Sequence, residues 1–248
     1  MRVQSGGHGQ PLLLLLHGLG ATGDVWNGWP PVLSERWPGR WLAPDLPGHG
    51  GSEPLRRYSF GDLAASLAGL VGPADQLTVL GHSLGGVLGL TLAGRSFDVT
   101  VDAVVGVGIK VTWTDDELAK ARALAERPVN WFPTREQAAS RYLRVSGLAG
   151  LLTPDDAAVE PGLREEDGRW RLAMDSAVFG VGAPNMPRLL AETRARVILA
   201  RGEHDPMVTD DQLTRLQATR VTLPGLGHNA HVEDPAAVAA LLNPGSPR

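Results

Sequence analysis

Leu77-Thr78-Val79-Leu80-Gly81-His82-Ser83-Leu84-Gly85-Gly86, continued by Val87-Leu88-Gly89-Leu90-Thr91-Leu92-Ala93-Gly94, is the stretch whose reading decides the fold. A short apolar run rich in strand formers meets a Gly-x-Ser-x-Gly turn, and a helix-like apolar segment follows. In that order the pieces make a strand, a sharp turn and a helix, with Ser83 at the apex. A serine held there projects its hydroxyl from the sheet, and glycines at 81 and 85 allow close strand–helix packing that a Cβ would crowd. The amide of Leu84, first in the helix, faces the same space and can stabilise negative charge developing there. Alone, the pentapeptide also reads as a glycine-rich turn with an exposed serine, so the case rests on partners elsewhere in the chain.

Composition narrows the setting. The 248 residues fit one large domain with a sizeable core. A formal net charge of −4, with both signs interspersed, offers no basic stripe for nucleic acid and no acidic tail. The absence of cysteine excludes disulfides, thiolate catalysis and cysteine metal sites. The longest apolar run, Leu12 to Leu16, is too short to span a bilayer and follows no secretory n-region, so a cytoplasmic protein without a membrane partner is expected. Monomer and homodimer both remain open.

Upstream of the turn, Pro11-Leu12-Leu13-Leu14-Leu15-Leu16 reads as a strand buried on both faces of a parallel sheet, after a short edge strand within residues 1–10. It ends in His17-Gly18-Leu19-Gly20, at the strand edge where open α/β sheets carry ligands, which makes the Leu19 amide the candidate second donor beside Leu84. His17 reads as a structural residue holding that loop, and Trp26 and Trp29 as core beneath it. Arg40-Trp41-Leu42-Ala43 is the next strand. In the loop that follows, Asp45 and His49 are expected to make turn-stabilising hydrogen bonds. Ser59, with Asp62 three residues on, caps a helix expected to run through Val71.

Downstream, residues 101–109 are another apolar strand, after which the texture changes. From 110 to 187 no apolar strand run occurs. Helix starts are predicted at Thr114, at Thr134 and at Thr153-Pro154-Asp155-Asp156, and the segment reads as a helical insertion over the sheet edge. Trp113, Trp131, Phe132 and Phe179 there, with Met207 beyond, are candidates to line an apolar substrate pocket. Strand texture resumes at Arg196-Val197-Ile198-Leu199-Ala200. Asp205 lies in the loop after it, better placed than Glu203 to orient an imidazole, while His204 reads as a solvated neighbour. After a short strand at 221–223, His228 follows Gly-Leu-Gly on a loop free to reach Ser83 and is favoured over His231 as general base.

With Ser83, Asp205 and His228 in that order, the chain resembles the α/β-hydrolase fold family over nearly its whole length. His17-Gly18 is similar to the family's oxyanion loop, and Asp45-x-x-Gly48-x-Gly50-x-Ser52 to a loop recurrent in its single-domain members. Gly81-His82-Ser83-Leu84-Gly85 matches the elbow, Gly202-x-x-Asp205 the acid loop, and Gly227-His228 with Glu233-x-Pro235 the histidine loop. The N-terminus departs, being too short for the antiparallel start of many members, so fewer strands are expected there. The resemblance implies an α/β fold with a mostly parallel central sheet flanked by helices, a core of residues 1–109 and 188–248, and a helical cap at 110–187.

It also implies a chemistry. Ser83 would attack a carbonyl, His228 would take its proton, Asp205 would fix the imidazole, and the Leu19 and Leu84 amides would hold the oxyanion. No metal or organic cofactor is implied. A small or medium apolar or aromatic ester, or a carbamate ester, is the expected substrate. Carbon–carbon bond hydrolase, lactonase and amidase remain alternatives on the same triad. A hydroxynitrile-type lyase and a non-catalytic binder are the alternatives of other classes.

Overall fold

The computed structural model describes residues 1–72 and 75–242. Its strands are β1 (Val3–Gly6), β2 (Leu12–Leu16), β3 (Arg40–Pro44), β4 (Leu77–His82), β5 (Val101–Val107), β6 (Leu163–Glu166), β7 (Arg169–Leu172), β8 (Arg196–Gly202) and β9 (Thr219–Leu223). Seven of them form one sheet in the order β1-β3-β2-β4-β5-β8-β9. Only β1 runs antiparallel, against β3, so the N-terminal start is one short edge strand.

The five leucines of β2 show why its sequence does not alternate. All are fully buried, Leu13 and Leu15 in a core with Trp26 and Trp29, the others in a second core with Leu63 and Leu88. A strand covered on both faces needs apolar residues at every position. Each buried leucine contributes about 1.5–3 kcal/mol relative to exposure. The order of strands reverses between β2 and β4, so the loops after these two strands face each other across the sheet's switch point, the usual ligand-bearing crevice.

Helices α1 (Pro30–Arg36), α2 (Phe60–Ala68) and α3 (Leu84–Leu92) connect the first strands. Ser59 caps α2 by accepting from the Asp62 amide, as its sequence predicts, but the helix stops at Ala68 and gives way to turns before Val71.

Residues 108–195 lie between the neighbouring strands β5 and β8. They hold α4 (Asp115–Ala125), α5 (Arg135–Val145) and α6 (Met186–Glu192), and two expectations fail there. No helix starts at Thr153. Its amide and hydroxyl both bond the Asp156 carboxylate, closing a local turn that satisfies the backbone without a helix. Nor is the insertion purely helical, because β6 and β7 form an antiparallel hairpin. Asp167 and Gly168, both left-handed at φ 52° and 72°, make its tight turn. The hairpin carries no apolar run because the Arg171–Glu166 ion pair and a Glu165–Trp170 pairing link its strands.

The remaining helices, α7 (Asp210–Thr214), α8 (Ala230–Glu233) and α9 (Pro235–Ala239), complete the chain. No helix among the described residues is long and apolar enough to cross a membrane.

One polar cluster ties the edge of the sheet to its loops. The Arg2 guanidinium bonds both Asp24 and Asp45, whose side chains are 8% and 0% exposed. Asp45 also accepts the Gly23 and Gly51 amides, each at 2.8 Å. Removing the cation leaves two carboxylates without their counter-charge. Arg2→Ala is therefore expected to cost about 2 kcal/mol, below a fully buried pair because Arg2 is partly solvated. Urea denaturation checks this, and an unchanged midpoint refutes it.

Candidate active site

Ser83 joins β4 to α3 at φ 48° and ψ −111°, a left-handed conformation that serine rarely adopts. Two close approaches hold it there. A Cβ on Gly81 would lie 2.3 Å from the Gly85 carbonyl carbon, and one on Gly85 would lie 2.3 Å from the Leu16 carbonyl oxygen. Strand β4, helix α3 and the end of β2 thus meet backbone to backbone, and the strain at Ser83, about 1–3 kcal/mol, is carried by that packing. The Ser83 amide donates to the Val107 carbonyl at 2.8 Å.

Asp205 and His228, 23 residues apart, come together at the ends of β8 and β9. His228 Nδ1 lies 3.0 Å from both Asp205 oxygens, so Nδ1–H donates and Nε2 is left with a free lone pair. The Asp205 side chain is fully buried, and that of His228 is 19% exposed. Asp205 further accepts from the Met207 amide at 2.7 Å, which fixes the carboxylate. Glu203 binds the Gly225 amide instead, and His204 is exposed. Ser83 and His228 share a floor at the end of β5, because Val107 holds the Ser83 amide and Gly108 lies under the imidazole. Gly108 has φ 65°, and a Cβ on it would sit 3.0 Å from the His228 oxygen and 3.1 Å from its Nδ1. No hydrogen bond joins the Ser83 hydroxyl to His228 among the described residues; such contacts commonly tighten only once substrate is bound.

The His17–Gly20 loop packs directly on the elbow: a Cβ on Gly18 would come within 3.4 Å of the Ser83 Cβ. Neither the Leu19 nor the Leu84 amide is used in a hydrogen bond among the described residues, which leaves both donors free. His17 holds the loop as expected, its Nδ1 donating to the Gly18 carbonyl and its Nε2 accepting the Leu46 amide, each at 2.8 Å. His49 Nε2 accepts the Gly20 amide, and Asp45 binds backbone amides, so both stabilise turns. Trp26 and Trp29 are core.

One residue next to Ser83 was not singled out by its sequence context. His82 is buried, and its Nε2–H donates to the His228 carbonyl at 3.0 Å while its ring packs edge-on to His228 at 4.7 Å. On its other side it stacks on His231 at 4.2 Å. His231 is itself buried against Trp26, and it makes no hydrogen bond to Asp205 among the described residues. The signal for His82 is its place at the last position of a strand buried throughout, where a polar side chain needs a partner.

Burial governs the protonation of these imidazoles. It lowers His17 to about 4, and it lowers His49 and His231 to about 3, with neighbouring histidines adding to the effect in the last two. His82 falls well below its ordinary range from burial first, then from His231 and His228. All four are neutral at pH 7, which suits His17, His49 and His82 to a hydrogen-bonded scaffold rather than proton transfer, while the His231 ring is held by packing alone.

A cavity of about 740 Å³ opens between the insertion and the loop after β3. Trp131, Phe132 and Phe179 line it, but no member of the Ser83, Asp205 and His228 set does. Trp113 and Met207 do not reach it. The Trp113 indole donates to the Lys110 carbonyl under the Lys110 ammonium, and Met207 is 39% exposed beside Asp205. No cluster of three or more His, Asp or Glu side chains among the described residues is placed to hold a metal ion.

Comparison with known proteins agrees with this architecture. The model of the alpha/beta hydrolase family matches residues 13–241. A 2-succinyl-6-hydroxy-2,4-cyclohexadiene-1-carboxylate synthase from Enterobacter sp. strain 638 is 29% identical over 97% of this chain and 93% of its own length. A pimeloyl-[acyl-carrier protein] methyl ester esterase from Aeromonas hydrophila is 43% identical over 86 residues, 34% of this chain and 32% of its own. Other curated relatives are matched over only 37% and 28% of their length. Among solved structures, an E-2-(acetamidomethylene)succinate hydrolase superimposes with a TM-score of 0.80 at 23% identity, over 98% of this chain and 93% of that one, a likeness of fold.

The four buried imidazoles make stability depend on pH. Unfolded, each binds a proton near pH 6.5; folded, His17, His49 and His231 stay neutral until about pH 4 or below, and burial holds His82 neutral well below its ordinary range. The unfolded chain therefore binds more protons in this window, and stability falls as pH drops through it, by up to ~1.4 kcal/mol per pH unit for each imidazole. The urea midpoint is expected to fall steeply between pH 7 and 5, above the range where carboxylates titrate. A flat midpoint over that interval would contradict it.

Proposed function

The chain belongs to the alpha/beta hydrolase family, and from that premise we propose that it is a serine hydrolase cleaving a carboxylic ester through an acyl-enzyme. The observation that carries this reading is the Asp205–His228 pair, bonded at 3.0 Å to both carboxylate oxygens, beside a serine held at a strained elbow. Ser83 Oγ attacks the ester carbonyl while His228 Nε2 takes its proton. The free amides of Leu19 and Leu84 receive the oxyanion, each donor contributing about 3–4 kcal/mol. The tetrahedral adduct then collapses, and the imidazolium protonates the departing alkoxide. A water deprotonated by His228 attacks the acyl-serine, releasing the acid and restoring Ser83. Asp205 holds the tautomer that leaves Nε2 unprotonated and stabilises the imidazolium.

The substrate in this reading is a small or medium ester, or carbamate ester, with an apolar or aromatic body. Residues 110–187 act as the cap over the sheet edge. The esterase among the sequence relatives supports ester chemistry.

A second reading is favoured by the Enterobacter relative, which is named a synthase and is matched along almost its whole length. In it His228 moves a proton on the substrate and no acyl-serine forms.

A fluorophosphonate probe distinguishes an activated nucleophile from an inert serine. Labelling is expected on Ser83 and is expected to vanish in Ser83→Ala and His228→Ala. Failure to label the folded wild-type protein would overturn the reading. Asp205→Asn is expected to lower kcat about ten-thousand-fold by presenting the wrong tautomer. Steady-state ester hydrolysis measures this, and formation of the carboxylic acid product separates hydrolysis from the second reading.

A further inference from the structure

The cavity beside the insertion contains charges that the fold does not use. Its wall carries four arginines against three carboxylates, among the apolar faces of Trp131, Phe132, Phe179 and Val145. Arg171 is bonded to Glu166, and Arg164 donates to the Gly50 carbonyl at 3.0 Å. Asp175 accepts from the Tyr58 hydroxyl at 2.8 Å and the Ala177 amide at 3.0 Å. The third carboxylate, Glu53, is exposed and pairs with neither remaining arginine. Arg127 and Arg141 are left over: neither guanidinium makes a hydrogen bond or ion pair among the described residues. Arg141 is half-buried, where a guanidinium without a partner loses hydration and gains nothing in return.

Helix α5 connects this cavity to the reacting groups. Val145 lines the cavity one helical turn beyond Arg141, about 6 Å along the axis. The same Val145 packs on the oxyanion loop, its Cγ1 being 2.6 Å from where a Gly20 side chain would begin. Just past the helix, the Gly147 carbonyl accepts from Asn229 Nδ2 at 2.9 Å, next to His228.

We propose that this cavity is an acid-binding subsite: the substrate is an ester whose apolar acyl chain ends in a carboxylate. The carboxylate is held by Arg141 and Arg127, and the chain lies against Trp131, Phe132 and Phe179. Guanidinium forks suit a carboxylate, and the aromatic faces suit the methylenes between it and the scissile carbonyl. The inference rests on the ester-hydrolase reading and gives it a substrate class.

The test uses mono-para-nitrophenyl suberate, its far carboxylate free, and the diester made by methylating that carboxylate. Wild-type protein is expected to favour the free acid in kcat/KM by about tenfold or more. Arg141→Gln is expected to collapse that ratio, chiefly through KM for the acid, Arg141→Lys to restore part of it, and Arg127→Gln to reduce it. A second arm needs no turnover: calorimetric titration of the Ser83→Ala protein with monomethyl suberate, with and without Arg141→Gln. Anion binding lost with Arg141, where the wild-type protein hydrolyses neither ester, upholds the subsite and removes the hydrolase reading. Equal turnover of both esters, with no anion binding that depends on Arg141, overturns the subsite and leaves the hydrolase reading standing.

Discussion

The contact on which the rest depends is that of the Gly81 and Gly85 backbones, with Leu16 behind them. Because no side chain separates them, α3 begins closer to β4 than any other residue pair would allow. That distance leaves the chain no relaxed route from strand to helix, and the strain falls on Ser83. The energy comes from the apolar layers on both faces of the sheet, where the leucines of β2 and the residues of α3 are almost all fully buried. A core of this size tolerates a few kcal/mol of local strain. The strained geometry at Ser83 is thus a product of packing several residues away from it.

Around this contact the polar groups form a scaffold of neutral donors and acceptors. His17 bridges its own loop at Gly18 to Leu46, His49 joins Gly20 to the loop after β3, and His82 reaches from the elbow to the His228 carbonyl. Each imidazole satisfies backbone groups that a loop near the core would otherwise leave bare. Charge is concentrated elsewhere, in the Arg2–Asp24–Asp45 cluster at the sheet edge and in Asp205 under His228.

The sheet and the three candidate residues were legible because their signals are local or follow a fixed order. A five-leucine run announces a strand buried on both faces, and a glycine-flanked serine between strand and helix needs little tertiary information. Asp205 and His228 sit in loops directly after strands, so strand order brings them to one edge. The insertion was less legible for a physical reason. Its hairpin is stabilised by Arg–Glu and Glu–Trp pairing rather than by alternating apolar residues, and its one plain sign was Asp167-Gly168. At Thr153 a local carboxylate turn imitates a helix cap. The roles of His82 and Gly108 depend on what lies above them in space, on loops about 120 to 146 residues away in the chain.

Helix α5 touches the Gly20 loop through Val145, and Gly147, just past its end, touches the Asn229 loop. These two contacts lie within three residues of each other, at one end of a rod of eleven residues whose other end lies out in the insertion. A rod so attached couples two loops mechanically: a tilt at its far end would reach the Gly20 loop and the Asn229 loop together. Sequence change at the distal end of α5, remote from Ser83 and His228, would thereby bear on the surroundings of both in a single movement.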